Sequence, residues 1–215
     1  MIFLLLGFLA PLDVVISEIS WMGNNDSYSN EWIELYNKTD FPIDLEGWKI
    51  SSRNNNLEIQ LEGEIAEKSF YLIERTNDNA VLEVLADKIY KGSLNNNGEN
   101  LELLNASGDL IDSVDCSSGW FFGDNETKQT MERRSPLIVG SDPGNWQDSI
   151  PIKGTPKAKN SKYTILNKEI VPQKTIQKEK QNFFFPWSAL IIAVMSGIII
   201  LGLKKKIKKT YNKNI

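Results

Sequence analysis

The side chains in this sequence that could support catalysis are nearly all carboxylates. The 215 residues include no histidine and one cysteine, Cys116. Without histidine there is no imidazole base, no usual zinc ligand and no catalytic triad built on imidazole. A lone cysteine forms neither an intramolecular disulfide nor a cysteine metal cluster. We therefore interpret Cys116 as a small strand residue and not as a nucleophile.

Two glutamates flank a tryptophan in the run Glu31-Trp32-Ile33-Glu34. Paired carboxyl groups beside an aromatic ring are what a glycoside hydrolase site requires. In an extended strand, however, Glu31 and Glu34 lie an odd number of residues apart and point to opposite faces. We therefore expect Trp32 and Trp48 to pack in the fold, and we predict no enzymatic activity. A hydrolase built on two carboxylates stays an alternative, which requires both groups in one cleft.

Oxygen-rich loops raise a second possibility, which is calcium binding. The candidates are Asn24-Asn25-Asp26 and Asp124-Asn125-Glu126. Calcium prefers carboxylate and carbonyl oxygens, but neither segment has the spacing of an EF-hand loop. Asn and Asp are also ordinary turn formers. We interpret both segments as turns and predict neither a metal nor a cofactor.

Three adjacent aromatic residues, Trp120, Phe121 and Phe122, lie between two glycines. Aromatic rings at an exposed loop tip bind sugars or partner proteins. The same rings could instead close one end of the fold. We take these three as the candidate partner-binding residues.

The elements that would position these groups are short strands. Segments with alternating apolar residues are separated by turn residues at close intervals, as in an all-β sandwich. Residues 80–90 are compatible with one helical turn or with a loop that returns to a short strand at Ile89. The predicted strands lie near residues 13–21, 30–37, 45–50, 57–61, 68–74, 100–104 and 110–114, with a hairpin turn over 105–109.

The charge divides the chain into two parts. Residues 13–150 carry 26 acidic and 10 basic side chains, whereas residues 151–215 carry 2 and 14. Because affinity for nucleic acid comes from Lys and Arg that neutralise phosphates, the acidic part argues against nucleic acid as a partner.

The ends of the chain indicate export and anchoring. Residues 1–12 are too short to span a bilayer but resemble the apolar region of a signal peptide. Residues 151–182 are rich in lysine and contain three prolines, which predicts a basic disordered stalk. Residues 183–203 contain no charged residue, which predicts a single transmembrane helix in contact with the lipid bilayer. The lysines of residues 204–215 place the C-terminus in the cytoplasm and residues 13–150 outside.

Several segments together resemble the lamin tail domain family. The opening segments are Val15-Ile16-Ser17-Glu18-Ile19, Glu31-Trp32-Ile33-Glu34-Leu35-Tyr36-Asn37 and Leu45-Glu46-Gly47-Trp48-Lys49-Ile50. The later ones are Asn97-Gly98-Glu99-Asn100-Leu101-Glu102-Leu103, Ser107-Gly108-Asp109-Leu110-Ile111-Asp112, Asp142-Pro143-Gly144-Asn145-Trp146, and Thr155-Pro156 with Asn160. The last segments resemble the closing signature of prokaryotic members, but Lys157 stands where a glycine is usual.

The resemblance implies an immunoglobulin-like β-sandwich over residues 13–150 that acts as an interaction module. In animal lamins the module binds proteins and chromatin beside a coiled-coil rod, whereas this sequence has no heptads. Prokaryotic members are similar in being secreted or surface-attached. We therefore expect a non-catalytic, membrane-anchored extracellular module at the cell envelope, whose partner is an envelope protein or glycan. A carbohydrate-binding or adhesive module that uses exposed aromatic residues is the first alternative.

Overall fold

The computed structural model describes residues 13–53, 57–82 and 84–162. Within these ranges the chain forms twelve β-strands and one 3-10 turn, Pro143–Asn145. The strands are β1 (Val14–Ser20), β2 (Trp32–Asn37), β3 (Ile43–Asp44), β4 (Lys49–Ser52), β5 (Glu58–Gln60), β6 (Glu64–Ile65), β7 (Phe70–Arg75), β8 (Lys88–Tyr90), β9 (Asn100–Leu104), β10 (Leu110–Asp115), β11 (Met131–Arg133) and β12 (Trp146–Asp148).

The strands form a six-stranded sheet, a four-stranded sheet and a small pair. The six-stranded sheet has the order β12-β11-β1-β2-β7-β8, the four-stranded sheet has the order β10-β9-β4-β5, and β3 pairs with β6. Neighbouring strands are antiparallel except for β7 and β8, which are parallel. The predicted all-β class is confirmed, and the sheets are consistent with an immunoglobulin-like sandwich.

One main hydrophobic core takes side chains from both larger sheets. Strand alternation explains its composition, because every second residue of a strand faces the same way. Burying each large aliphatic side chain contributes about 1.5–3 kcal/mol. The core includes Ile16, Ile19, Ile33, Leu35 and Ile73 from the six-stranded sheet and Ile50, Ile59, Leu101, Leu103 and Val114 from the four-stranded sheet.

A buried ion pair joins the two larger sheets. Arg133 on β11 binds Asp112 on β10 through Nη1 to Oδ2 at 2.5 Å and Nη2 to Oδ1 at 3.2 Å. The Ile16 backbone N–H donates to Asp112 Oδ2, and Arg133 donates to the carbonyl oxygens of Ile16 and Ile138. Both charged side chains are almost fully buried. The joint therefore satisfies polar groups that burial would otherwise leave unpaired.

The two tryptophan-bearing segments of the opening motif lie in different sheets. Trp32 begins β2 in the six-stranded sheet, whereas Trp48 precedes β4 in the four-stranded sheet. The chain changes sheets through β3, a strand of two residues that sequence alternation cannot reveal. The motif therefore supplies one strand to each layer of the fold.

The boundary predicted at residue 150 is too early. Residues 154–161 bind the six-stranded sheet through Thr155, Lys157, Asn160 and Ser161. The first third of the predicted stalk (151–182) therefore belongs to the folded domain. Prolines and lysines gave this segment the composition of a spacer, although its small polar residues reach buried partners.

The predictions for residues 1–12, 183–203 and 204–215 lie outside the described residues, as does residue 163 onward of the stalk. Within the described ranges, the structure contains no helix whose length and apolar character would let it cross a membrane.

Candidate functional site

Three buried glutamates form a row across the six-stranded sheet. Glu18 on β1 is paired in register with Glu34 on β2 and with Glu132 on β11. Adjacent strands lie about 4.8 Å apart, so the three carboxyl groups are close neighbours. All three residues are fully buried. We call Glu34, Glu18 and Glu132 the carboxyl row.

The carboxyl row lies on the sheet face that points away from the main core. Glu34 shares its face with Trp32, because the two residues are two positions apart in β2. Trp32 packs with Leu72 and Ala80 in a separate small cluster, whereas Ile33 and Leu35 point into the main core. A carboxyl group on this face would be solvated unless another part of the chain covered it.

The cover is provided by residues 154–161, which we call the closing segment. Thr155 donates its backbone N–H to Glu18, and its hydroxyl oxygen lies 2.9 Å from Glu18 Oε2. The backbone N–H of Lys157 donates to Glu34 Oε2, and that of Ser161 donates to Glu132 Oε2 at 2.9 Å. Each glutamate of the row thus accepts a backbone N–H from a different position of the closing segment.

Two further features hold the closing segment in place. The Asn160 side-chain amide donates to the carbonyl oxygens of Ser17 and Arg133, both at 2.9 Å, and so links it to β1 and β11. Lys157 has a φ of 54°, in the left-handed region. This is the position at which a glycine was expected from the family resemblance. The lysine side chain instead gains an ion pair with Asp87, Nζ to Oδ1 at 2.8 Å.

Burial makes two members of the carboxyl row, Glu18 and Glu34, weakly acidic. Desolvation raises the pKa of Glu18 to about 8, a hydrogen bond from Thr130 opposes this shift, and the neighbouring charge of Glu132 adds to it. Desolvation also raises the pKa of Glu34 well above its ordinary value, and the charge of Glu18 contributes. Glu34 Oε1 is buried without a hydrogen-bond partner among the described residues. Glu18 therefore holds its proton at pH values where solvated glutamates are ionised, and the raised pKa of Glu34 acts in the same direction.

Perturbed carboxyl groups often mark active sites, but access decides their use. Both Glu18 and Glu34 are fully buried beneath the closing segment. A hydrolase needs both carboxyl groups to reach the same substrate bond. In this arrangement they bind the protein's own backbone and hydroxyl groups. The geometry serves to attach a segment of chain.

Glu31 points to the opposite face from Glu34, as strand parity predicts. Its carboxylate binds Arg75 Nη1 at 2.8 Å and accepts from the Leu94 backbone N–H at 2.8 Å. Tyr90 donates its hydroxyl to the same carboxylate at 3.3 Å. Tyr90 and Leu94 belong to the main core, so Glu31 is a structural anchor at the edge of that core.

The aromatic residues Trp120, Phe121 and Phe122 are partly buried and pack against the main core. The Trp120 ring lies parallel to Trp21 with centroids 5.9 Å apart, and its Nε1 donates to the Asn95 carbonyl oxygen. The Trp21 ring N–H donates to the Phe122 carbonyl oxygen at 3.0 Å. One face of the Trp120 ring is therefore occupied, and part of each ring remains accessible.

The two oxygen-rich loops use their side chains to close turns. Asn24 Oδ1 accepts from the backbone N–H groups of Asp26 and Ser27. Asp124 Oδ1 accepts in the same way from Glu126 and Thr127. Within the ranges that the structure covers, no group of three or more His, Cys, Asp or Glu side chains is arranged to hold a metal ion.

Cys116 is buried directly after β10, as its interpretation as a small structural residue requires. Desolvation raises the pKa of its thiol to about 12, with the charge of Asp115 acting in the same direction. A thiol of this kind is a poor nucleophile at neutral pH, since the thiolate is the reactive form.

Sequence reasoning missed Glu18 and Glu132 as a pair, and it missed the exposed apolar tip Leu137-Ile138-Val139. The Asn145 amide links this tip to the fold, donating to the carbonyl oxygens of Ser135 and Ile138. A signal for the carboxyl row was present in the chain, because Glu18 and Glu34 are each the single charged residue of a strand rich in apolar side chains.

Comparison with known proteins agrees with this architecture. The family model described as Lamin Tail Domain matches residues 9–118, which is half of the chain. No curated protein matches the sequence. The matched region spans β1 to β10 and so includes Glu18, Glu34 and the strands that carry them. The chain therefore belongs to the lamin tail domain family.

Proposed function

We propose that this chain is a non-catalytic, membrane-anchored module that presents its lamin tail domain outside a prokaryotic cell, where it has a binding or structural role. The proposal of a non-catalytic role rests on one observation: the side chains that could support catalysis are buried and bind other parts of the fold. Glu18 and Glu34 hold the closing segment, Glu31 anchors the core edge, and Cys116 is a buried thiol. The groups that could have supported catalysis are thus occupied in maintaining the fold.

The anchoring part of the proposal is supported by sequence. The 21 uncharged residues 183–203 would form a helix of roughly 31 Å at about 1.5 Å per residue, which matches the hydrocarbon core of a bilayer. The lysine-rich residues 204–215 follow directly, and such charge remains on the cytoplasmic side. The acidic domain would then lie outside, with residues 163–182 as its tether.

Fractionation and surface proteolysis test this topology. The full chain should stay with membranes after a high-salt wash, and a variant lacking residues 183–203 should not. Protease added to intact cells should remove the domain while a cytoplasmic marker survives. Retention of the deletion variant in membranes, or protection of the domain in intact cells, would contradict the proposal.

The proposed partner is an envelope protein or glycan, and nucleic acid is not expected. The exposed apolar tip at Leu137–Val139 offers a surface for a protein partner, because its large apolar side chains face solvent. Capture from envelope extract by the full chain, with and without calcium, tests for a partner. A variant with Leu137 and Val139 changed to Ser should lose capture, whereas a Leu110→Ser control, exposed on β10, should keep it.

The carbohydrate-binding alternative would use the accessible parts of Trp120, Phe121 and Phe122. Its support is the partly buried position of these rings, beside the stacked ring of Trp21. A glycan array probed with the full chain tests it. A Phe121→Ala variant that binds the same glycans as the wild type would remove this alternative.

A further inference from the structure

The carboxyl row concentrates acidic groups with little positive charge to balance them. Glu18 faces Glu34 on one side and Glu132 on the other. Asp87 lies near Glu34, and Lys157 of the closing segment supplies the positive charge, although its Nζ binds Asp87. Beyond Glu132 the next group in register is the neutral Gln147 on β12. None of the ion pairs found in the described ranges includes a carboxyl group of the row.

The hydrogen-bond geometry requires a proton on the row. Thr155 Oγ1 lies 2.9 Å from Glu18 Oε2 and 2.9 Å from Glu132 Oε1. A hydroxyl group has one proton to donate, and an ionised carboxylate has none. Thr155 can therefore donate to one of the two glutamates, and it must accept a proton from the other. The docked closing segment needs one of these two carboxyl groups in its protonated form.

We propose that residues 154–161 form a proton-dependent clasp, which stays docked while the carboxyl row holds its proton and undocks when the row becomes fully ionised. The docked form buries Glu18, Glu34 and Glu132 together. Full ionisation places three negative charges on adjacent strands in a site shielded from water, where like charges repel strongly. Undocking exposes the row to solvent, which relieves both the repulsion and the desolvation.

The direction of the pH effect follows from proton linkage. The docked form binds the proton more tightly, since the Glu18 pKa is raised from 4.5 to about 8. Docking is therefore strongest below the ordinary glutamate pKa, and it weakens as the pH rises through this window towards 8. Glu34, whose pKa is also raised, acts in the same direction. The clasp is closed in mildly acidic surroundings and loosens in alkaline ones.

Hydrogen exchange on the full chain measures docking directly. The amides of Thr155, Lys157 and Ser161 donate into the row, and they become exchangeable when the segment undocks. Between about pH 6 and about pH 9, their protection factors, corrected for the intrinsic exchange rate, should fall about tenfold or more. Amides of the β9–β10 hairpin serve as the internal reference and should change little. Equal protection of the closing segment at both pH values would overturn the proposal.

Two variants separate the clasp from general alkaline loosening. Glu18→Gln keeps the size of the side chain and removes its ionisation, so the pH dependence of closing-segment protection should become much smaller, with Glu34 supplying what remains. Glu58→Gln, an exposed glutamate on β5, should keep the wild-type response. A pH response in Glu18→Gln as large as that of the wild type would refute the mechanism.

A further measurement uses the wild-type chain, so its result does not depend on whether the Glu18→Gln variant folds. Infrared spectroscopy detects the carbonyl band of a protonated carboxyl group. That band should be present at about pH 6 and lost at about pH 9, in step with the exchange. Its absence at the lower pH would refute the requirement for a proton. The clasp and its tests are independent of the proposed membrane role, because they concern the domain alone.

Discussion

Replacing Arg133 by Met tests the buried joint between the two larger sheets. The change removes the two contacts to Asp112 and the donated hydrogen bonds to the Ile16 and Ile138 carbonyl oxygens. Met keeps most of the side-chain volume, so the loss is chiefly polar. Asp112 would remain buried with the Ile16 backbone N–H as its remaining neighbour in this set.

The expected cost is large because one charge stays buried without its counterion. Breaking a buried pair by removing one partner typically costs about 3–5 kcal/mol. The Arg133 guanidinium also lies 5.8 Å from the Trp146 ring centroid, and this cation–π contact would be lost as well. We expect Arg133→Met to lower the free energy of unfolding by about 4 kcal/mol.

Urea unfolding followed by tryptophan fluorescence measures this change, together with a double-mutant cycle. Asp112→Asn in the Arg133→Met background should cost much less than in the wild type, with a coupling of about 1–3 kcal/mol. Lys49→Met is the matched control, because the Lys49–Glu58 pair is exposed; it should cost less than about 1 kcal/mol. Additive effects of the two core variants, or a cost for Arg133→Met as small as that of the control, would refute the reasoning.

Three further variants or probes test other contacts. Gly98→Ala should lower the free energy of unfolding by more than about 2 kcal/mol in the same urea assay, since its Cβ would lie 2.0 Å from the Cys116 carbonyl oxygen. The control is Gly108→Ala, which has open space around the new Cβ and should lower the free energy of unfolding by about 1 kcal/mol. Cys116 should resist a thiol-specific reagent at about pH 8 in the folded chain and react in urea, because burial raises the pKa of its thiol to about 12. Rapid labelling of the folded chain would contradict this. Asn160→Ala should weaken docking of the closing segment by about 1–3 kcal/mol, since it removes a hydrogen bond from each of two backbone carbonyl oxygens; unchanged exchange protection at Ser161 would count against that role.

The long strands were predictable because each carries several apolar residues in a short run bounded by turn residues. These strands are β1, β2, β7, β9 and β10. Each buries side chains in the main core, and the sequence pattern that predicts each strand lies within the strand itself. The short strands were not predictable. β11 has the sequence Met-Glu-Arg, and its two charged residues are buried only because Glu132 meets the closing segment and Arg133 meets Asp112. No local pattern reveals partners that lie elsewhere in the chain.

The carboxyl row depends on register and on a distant cover. Strand parity places Glu34 away from the core, and solvent is then the default expectation for a carboxylate. The pairing of Glu18 with Glu34 follows a β-bulge between Ile16 and Glu18, which shifts the register of β1. Burial arises only when residues 154–161 fold over both. The aromatic loop is the opposite case. Its residue types predict a binding site, whereas in the structure the Trp120 ring stacks on the Trp21 ring.

The position of β1 in the sheet determines when the domain can finish folding during synthesis. β1 lies between β2, its neighbour in sequence, and β11, which is made much later. The contacts that complete it, from Thr130 and from Thr155 to Glu18, span 112 and 137 residues of sequence. Contacts of such high contact order form slowly, so a nascent chain carries β1 with one open hydrogen-bonding edge and Glu18 in water. Closing that edge coincides with proton uptake by Glu18, so the last folding step of this domain is expected to be slower at alkaline pH.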